Sequence, residues 1–407
     1  MEILGGYVLN ELKRAEYLSA IVYLDSLAIG SLGTVLKQMK TIELDWPCRM
    51  SRQEWMTVLD RALADEDLCQ MQVEKIEDLE NGHKAALFTK DDHAYVIFRG
   101  TGSDKEWEDN ARGMIDADTF HQRLASHFVA RVSTLFKKIT VAGHSKGGNK
   151  AQYAAITLPS QCVDRAYSFD GQGFSLAFFT KYAREIEARK KIITLASERR
   201  GFVHALGIPI AASEYYTGRR GEATAARPHG DPLPYFHCPD AMRDDDGNLV
   251  DSTHSLIPDI INYLVVHFLK TSKHVESVSM GLVRLTSENK NMDESALAVA
   301  HVLLILMELI ANSKDFRRQV SEMLRIESEV MLATLDARNG TAGELSEINK
   351  KVARHLGKLL ARDRNARYHF IEFVRFLGGL RVSKLQRHIS EGLNIVRRGI
   401  TANVREA

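Results

Sequence analysis

The stretch Ile139-Thr140-Val141-Ala142-Gly143-His144-Ser145-Lys146-Gly147-Gly148-Asn149-Lys150-Ala151 decides how the rest of the chain is read. The apolar run from Ile139 to Ala142 predicts a strand, Gly143 to Gly148 a sharp turn, and the alanine-rich segment that follows a helix. A serine between two glycines at a strand-to-helix turn is a nucleophile elbow, G-x-S-x-G. The backbone there is strained and packed too closely for a Cβ at the flanking positions. By itself the pattern arises by accident about one time in ten in a chain of this length. Its surroundings must therefore carry the reading.

Upstream, Ala85 to Phe88 and Ala94 to Phe98 are short apolar runs separated by Thr89 to His93, which predicts a hairpin. Helical spacing follows at Phe120, Leu124, Phe128, Val132 and Phe136. After the elbow, Ala151, Ala154 and Ala155 with Leu158 make a small-residue face that can lie close to a sheet. A strand at Ala166 to Phe169, a helix around Leu176 to Ala188 and a strand at Lys191 to Ala196 complete the alternation. Strands alternating with helices imply crossovers and a mainly parallel sheet, hence an α/β class.

Around this core the chain divides in three. Residues 1–80 are expected to be a helical part of the same domain, from the spacing of Ile21, Leu24, Ala28 and Leu32 and from a capping box at Ser51 and Glu54 flanked by Met50 and Trp55. Residues 81–271 are the α/β core. They include a Pro- and Gly-rich irregular stretch at 205–250, a wall or lid in character, and a closing helix at Leu256 to Leu269. Residues 272–407 read as an appended all-α bundle of about five helices.

Lys and Arg total 54 against 53 Asp and Glu, so no global field for a polyanion is implied, and no phosphate-cradling glycine motif is present. Neither nucleic acid nor nucleotide is an expected partner. Residues 350–407 are the exception, with fourteen basic against four acidic residues; a solvated helical surface explains this, and docking on an anionic membrane is the functional alternative. The cysteines Cys48, Cys69, Cys162 and Cys238 are far apart, which fits a reducing compartment. The N-terminus lacks a secretory pattern, so a cytoplasmic location is expected, with leaderless export left open. The longest apolar run, Ala296 to Ala311, contains His301 and Glu308 and is shorter than a membrane span.

A serine hydroxyl attacks a carbonyl only when a base takes its proton and donors hold the resulting oxyanion. In hydrolases with this elbow the order along the chain is Ser, acid, His. Downstream of Ser145 the chain holds several carboxylates and histidines of the types these two roles need. Asp244-Asp245-Asp246-Gly247-Asn248 lacks the ligand spacing of a calcium loop and reads as a turn. His229, His237, Cys238 and His254 fit no standard zinc framework. No cofactor is expected.

Phe98-Arg99-Gly100-Thr101 followed by Trp107 and Asp109, then the elbow, resembles the pairing found in fungal-type class three lipases. The lysine within the elbow, Asn149 after it, and Ser168-Phe169-Asp170-Gly171-Gln172-Gly173-Phe174 are more similar to a bacterial family of uncharacterised, lipase-like serine hydrolases. The resemblance covers roughly residues 80–270. It implies an α/β-hydrolase fold, Ser145 as nucleophile, and backbone oxyanion donors at Thr101 and Lys146. Tyr235-Phe236-His237-Cys238-Pro239 is similar to the family's histidine segment and makes His237 the first choice, with His229 and His254 as alternatives. Class three lipases place an Asp after the strand at Lys191 to Ala196. Here Glu198 stands nearby instead, while Asp170 matches the bacterial family's Phe-Asp-Gly element, so both acids stay open. The Lys146 side chain is expected to be solvated or to meet an anionic substrate group. The implied function is hydrolysis of acyl esters, of lipid or phospholipid above all; the alternatives are a thioesterase or peptidase, and an inactive hydrolase-fold binding protein using its basic tail.

Overall fold

The computed structural model describes residues 2–252 apart from 43–45, 49, 200, 218–236 and 245, and beyond 252 only 262, 265 and 266. The chain forms two compact units, Met1–Glu222 with Asp231–His254, and Ala223–Gly230 with Ser255–Ala407. The expected bundle at 272–407, its basic tail, the helix at 256–269 save those three residues, His229 and His254 lie outside the described residues.

In chain order the first unit runs α1 (Glu2–Ile21), β1 (Gly30–Ser31), α2 (Leu32–Met39), α3 (Arg52–Leu63), α4 (Glu66–Cys69), β2 (Gln72–Asp78), β3 (Lys84–Lys90), β4 (His93–Phe98) and α5 (Asp104–Gly113). It continues with α6 (Phe120–Val132), β5 (Lys138–His144), α7 (Lys146–Thr157), β6 (Arg165–Phe169), α8 (Leu176–Lys181), α9 (Ala183–Arg189), β7 (Ile193–Glu198) and β8 (Ser213–Thr217). The eight strands among the described residues join one sheet in the order β1 to β8. The pairings are antiparallel from β1 to β4 and parallel from β4 to β8. The class is α/β, with a mixed sheet whose C-terminal half is parallel.

A sheet that adds each parallel strand beside the last, always by a right-handed crossover, puts every crossover helix on the same face. Two apolar clusters show the result. Ala94, Val96 and Phe98 of β4 with Val141 of β5 pack with Phe128 of α6, Ala151, Ala154 and Ala155 of α7, and Phe178 and Ile186 of α8 and α9. The alternate residues Tyr95, Ile97 and Ala142, with Tyr167 and Phe169 of β6, face Leu18 and Ile21 of α1, Leu36 of α2 and Trp55 of α3. The N-terminal helices cover the face that the crossovers leave bare. Because both faces are buried, β5 carries no alternation: Ile139 through His144 are all buried.

Several local expectations meet a different outcome. Helical spacing continues past α1 only by coincidence: the helix stops at Ile21, and Leu32 begins another. The strand β2 lies within the segment expected to be helical, and β8 within the one expected to be irregular. The expected helix at 176–188 breaks at Tyr182, whose φ of −111° and ψ of 26° leave the helical region. Phe120, placed by spacing on the apolar face of α6, is 51% exposed. The capping box at Ser51 is formed, its hydroxyl accepting from the Glu54 N–H and the Glu54 carboxylate from the Ser51 N–H.

Candidate active site

The parallel register sets three loops side by side. Phe98 pairs with Gly143 and His144 with Phe169, so β4, β5 and β6 end together. Arg99 to Thr101, Ser145 and Asp170 leave from that common C-terminal edge, where parallel sheets present ligand sites. Ser145 has φ 58° and ψ −126°, a left-handed conformation that a side chain rarely adopts. Tight packing holds it there. A Cβ on Gly147 would lie 2.0 Å from the Phe98 carbonyl oxygen, and one on Gly143 2.4 Å from the Gly147 carbonyl carbon. The first turn of α7 therefore sits directly on the end of β4, and the Ser145 N–H donates to the Phe169 carbonyl at 3.0 Å.

His237 reaches the Ser145 hydroxyl with Nε2 at 3.0 Å. Its Nδ1 lies 2.6 Å from Asp170 Oδ2. A carboxylate only accepts, so Nδ1 carries a proton and Nε2 of the neutral ring is left to accept from Ser145. The other Asp170 oxygen accepts the His204 backbone N–H at 2.9 Å and faces His204 Nδ1 at 2.6 Å. Burial alone would raise the Asp170 pKa, but His237 and the donors from His204 and His237 hold it well below the usual carboxylate range. Asp170 keeps 5% side-chain exposure and His237 22%, so the imidazole is the open end of the chain and the carboxylate the closed one.

Behind this chain lies a second one. His144 Nε2 is 2.7 Å from the His237 carbonyl oxygen, and its Nδ1 is 2.9 Å from the Tyr23 hydroxyl. Burial, with His237 adding to it, lowers the His144 pKa to about 3. The neutral ring then donates from Nε2 to the carbonyl and accepts at Nδ1 from Tyr23. Tyr23, in the turn just after α1, also hydrogen-bonds the Gly100 backbone. The loop bearing His237 and the loop bearing Thr101 are thereby tied to one buried imidazole.

The Lys146 side chain corrects its expectation. It is neither solvated nor open to a substrate, but fully buried with Nζ 2.7 Å from Asp109 Oδ2 on α5. The reason is local: α7 begins inside the molecule, against α5, and its first turn has no solvent side. Asp109 also accepts from the Thr119 hydroxyl at 2.6 Å and from the His121 N–H at 3.2 Å. Burial opposes ionisation of Asp109, yet Lys146 and these donors keep its pKa far below normal. Thr101 follows β4, its hydroxyl accepting from Asn110 Nδ2 at 2.9 Å. Glu198 is buried at the end of β7 and is not joined to His237, whose two ring nitrogens face Ser145 and Asp170.

The structure thus brings together Ser145, His237 and Asp170. His204 on Asp170 and Tyr23 on His144 are not nameable from sequence, since a lone histidine between elements and a tyrosine in the turn after α1 carry no pattern. The Asp244 segment closes on itself as a turn: the Asn248 N–H donates to Asp244 Oδ1 at 2.7 Å and the Gly247 N–H to the Asp244 carbonyl at 3.0 Å. Among the described residues no cluster of His, Cys, Asp and Glu is arranged to hold a metal ion. Among them, too, no helix is long and apolar enough to cross a membrane.

A family model described as Mbeg1-like matches residues 65–198, which span β2 to β7 and include Thr101, Ser145 and Asp170 but not His237. No curated protein matches the chain. Among solved structures, a mutant form of MDLA from Penicillium cyclopium is similar at 14% identity and a TM-score of 0.34, over 54% of this chain and 83% of that one.

Proposed function

We propose that the protein is a serine hydrolase of the α/β-hydrolase type that cleaves acyl esters. The observation that carries the reading is the continuous chain Ser145 Oγ to His237 to Asp170, at 3.0 and 2.6 Å, on a serine held at positive φ. In this reading His237 takes the Ser145 proton as the hydroxyl attacks the ester carbonyl, and Asp170 keeps the ring in the reactive tautomer and stabilises the imidazolium. The tetrahedral oxyanion is held by the backbone N–H groups of Thr101 and Lys146, the latter at the start of α7 where the helix dipole also favours negative charge. His237 then protonates the departing alcohol, and water repeats the sequence on the acyl-enzyme. The motif resemblance directs the substrate towards lipid or phospholipid esters, and the basic residues of 350–407 are proposed to meet an anionic membrane surface.

A fluorophosphonate probe tests the reaction class. Wild-type protein should be labelled on Ser145 and Ser145→Ala should not; absence of labelling in folded wild type, beside a labelled control hydrolase, would sink the enzyme reading in favour of an inactive binding protein. A panel of acyl esters, phospholipids and thioesters, with Ser145→Ala as blank, separates esterase from thioesterase. Binding of the whole protein to acidic vesicles should weaken as salt is added, and salt-insensitive binding would count against the membrane role.

A further inference from the structure

Two buried ion pairs stand beside the elbow. On α7, Lys146 and Lys150 are one turn apart; on α5, Glu106 and Asp109 are likewise. Lys146 meets Asp109 and Lys150 meets Glu106, and of these Lys146, Lys150 and Glu106 have no side-chain exposure at all. Removing two charge pairs from water is costly, and a buried pair often stabilises a fold no more than well-packed apolar side chains would. Their value lies in what they hold in place.

The Glu106–Lys150 pair brackets Thr101. Glu106 Oε2 accepts the Gly102 N–H at 2.8 Å, on one side of that residue. Lys150 Nζ donates to the Arg99 carbonyl at 3.3 Å, on the other. Asn110, one residue beyond Asp109 on α5, donates to the Thr101 hydroxyl at 2.9 Å. The helix that carries both lysines is the helix that begins at the elbow. The same two helices therefore fix both proposed oxyanion donors: Lys146 by its place in α7, and Thr101 by bonds to groups on α5 and α7.

Resting on the hydrolase reading above, we propose that Glu106 and Lys150 are positioning residues that clamp the Thr101 loop against the elbow, so that the second oxyanion donor is in place before substrate arrives. They touch neither Ser145 nor His237; they act through the backbone of Arg99 to Gly102. Preorganised donors stabilise a transition state because nothing has to reorient as charge develops, and misplacing a donor by about 1 Å costs on the order of a hundredfold in rate.

The test uses two double variants that leave no unpaired buried charge. Glu106→Leu/Lys150→Met removes the contacts to Gly102 and Arg99. Glu106→Gln/Lys150→Met keeps an acceptor for the Gly102 N–H. Ester hydrolysis, fluorophosphonate labelling rate, near-ultraviolet circular dichroism and amide exchange across residues 99–103 are measured on each. The first variant should lose about a hundredfold in kcat with KM within about threefold and should exchange faster across 99–103, while the second loses about tenfold. A folded Leu/Met variant with kcat within twofold of wild type, or with unchanged exchange at 99–103, would overturn the clamp. If Leu/Met does not fold, the Gln/Met variant decides: unchanged kcat overturns the proposal and a tenfold loss supports it. Wild-type labelling separates the two readings, and the exchange measurement tests the clamp even if wild type proves inactive.

Discussion

Asp170 takes three donors on two oxygens, from His237 Nδ1, His204 Nδ1 and the His204 N–H, and its backbone sits at φ 43°, outside the range most side chains accept. In the proposed mechanism Asp170→Asn should lower kcat by about 10³–10⁴-fold with little change in KM, because the amide presents the wrong group to Nδ1; steady-state kinetics on a short-chain ester would show it, and activity within tenfold of wild type would exclude Asp170 as the orienting acid. A second expectation at this scale concerns packing. Gly147→Ala forces a Cβ to 2.0 Å from the Phe98 carbonyl oxygen, and backbone cannot yield as a side chain would. Loss of about 3 kcal/mol or more is expected, seen as a lowered midpoint in urea or failure to express in soluble form.

Among the elements, α3 offers the plainest stability test. Ser51→Ala removes the hydroxyl half of its capping box and should cost about 1 kcal/mol by urea denaturation, with no effect on hydrolysis. How far the elements are legible in the sequence follows from burial. The strand β5 reads at once because both its faces are covered and its residues are apolar throughout. The strand β2, Gln72-Val73-Glu74-Lys75-Ile76-Glu77-Asp78, buries only Val73 fully; its place in the sheet comes from backbone pairing to β1 and β3, which leaves no hydrophobic pattern. The break between α8 and α9 involves neither Pro nor Gly and is equally silent. For the site, Ser145 is legible from local strain written as glycines, and Asp170 and His237 are nameable through motif resemblance. The burial of Lys146 is not legible, because its partner Asp109 lies 37 residues earlier and nothing in either local sequence announces the other.

For the whole molecule, buried imidazoles set an acid limit on stability. Burial lowers the pKa of His83 and His144 to about 3 and of His93 to about 4, from 6.5. Below pH 6.5 the unfolded chain binds protons at these positions that the folded chain refuses, so acidification favours unfolding. Glu16 works in the opposite sense: burial, against the pull of Arg243, raises its pKa from 4.5 to about 6, and its protonation favours the folded state between those values. Three histidines therefore act unopposed just below pH 6.5 and are partly offset below pH 6. At about 1.4 kcal/mol per net proton per pH unit, unfolding free energy should drop by roughly 2–3 kcal/mol from pH 7 to 5.5. Urea titrations at the two values check this, and equal stability would refute it.

The placement of α1 has a consequence for synthesis. Glu11 on α1 accepts from the Thr140 hydroxyl at 2.7 Å across a separation of 129 residues, and the surface that receives this helix is made by β4, β5 and β6. A ribosome adding about 5–20 residues per second exposes α1 for roughly 6–25 s before Thr140 is even polymerised. For that interval α2 and α3 can already pack against this helix, but the part of the sheet that β5 and β6 supply is missing. The sheet can assemble strand by strand as it emerges, each beside its predecessor, but its second face closes only when α1, made earlier, meets the strands made later.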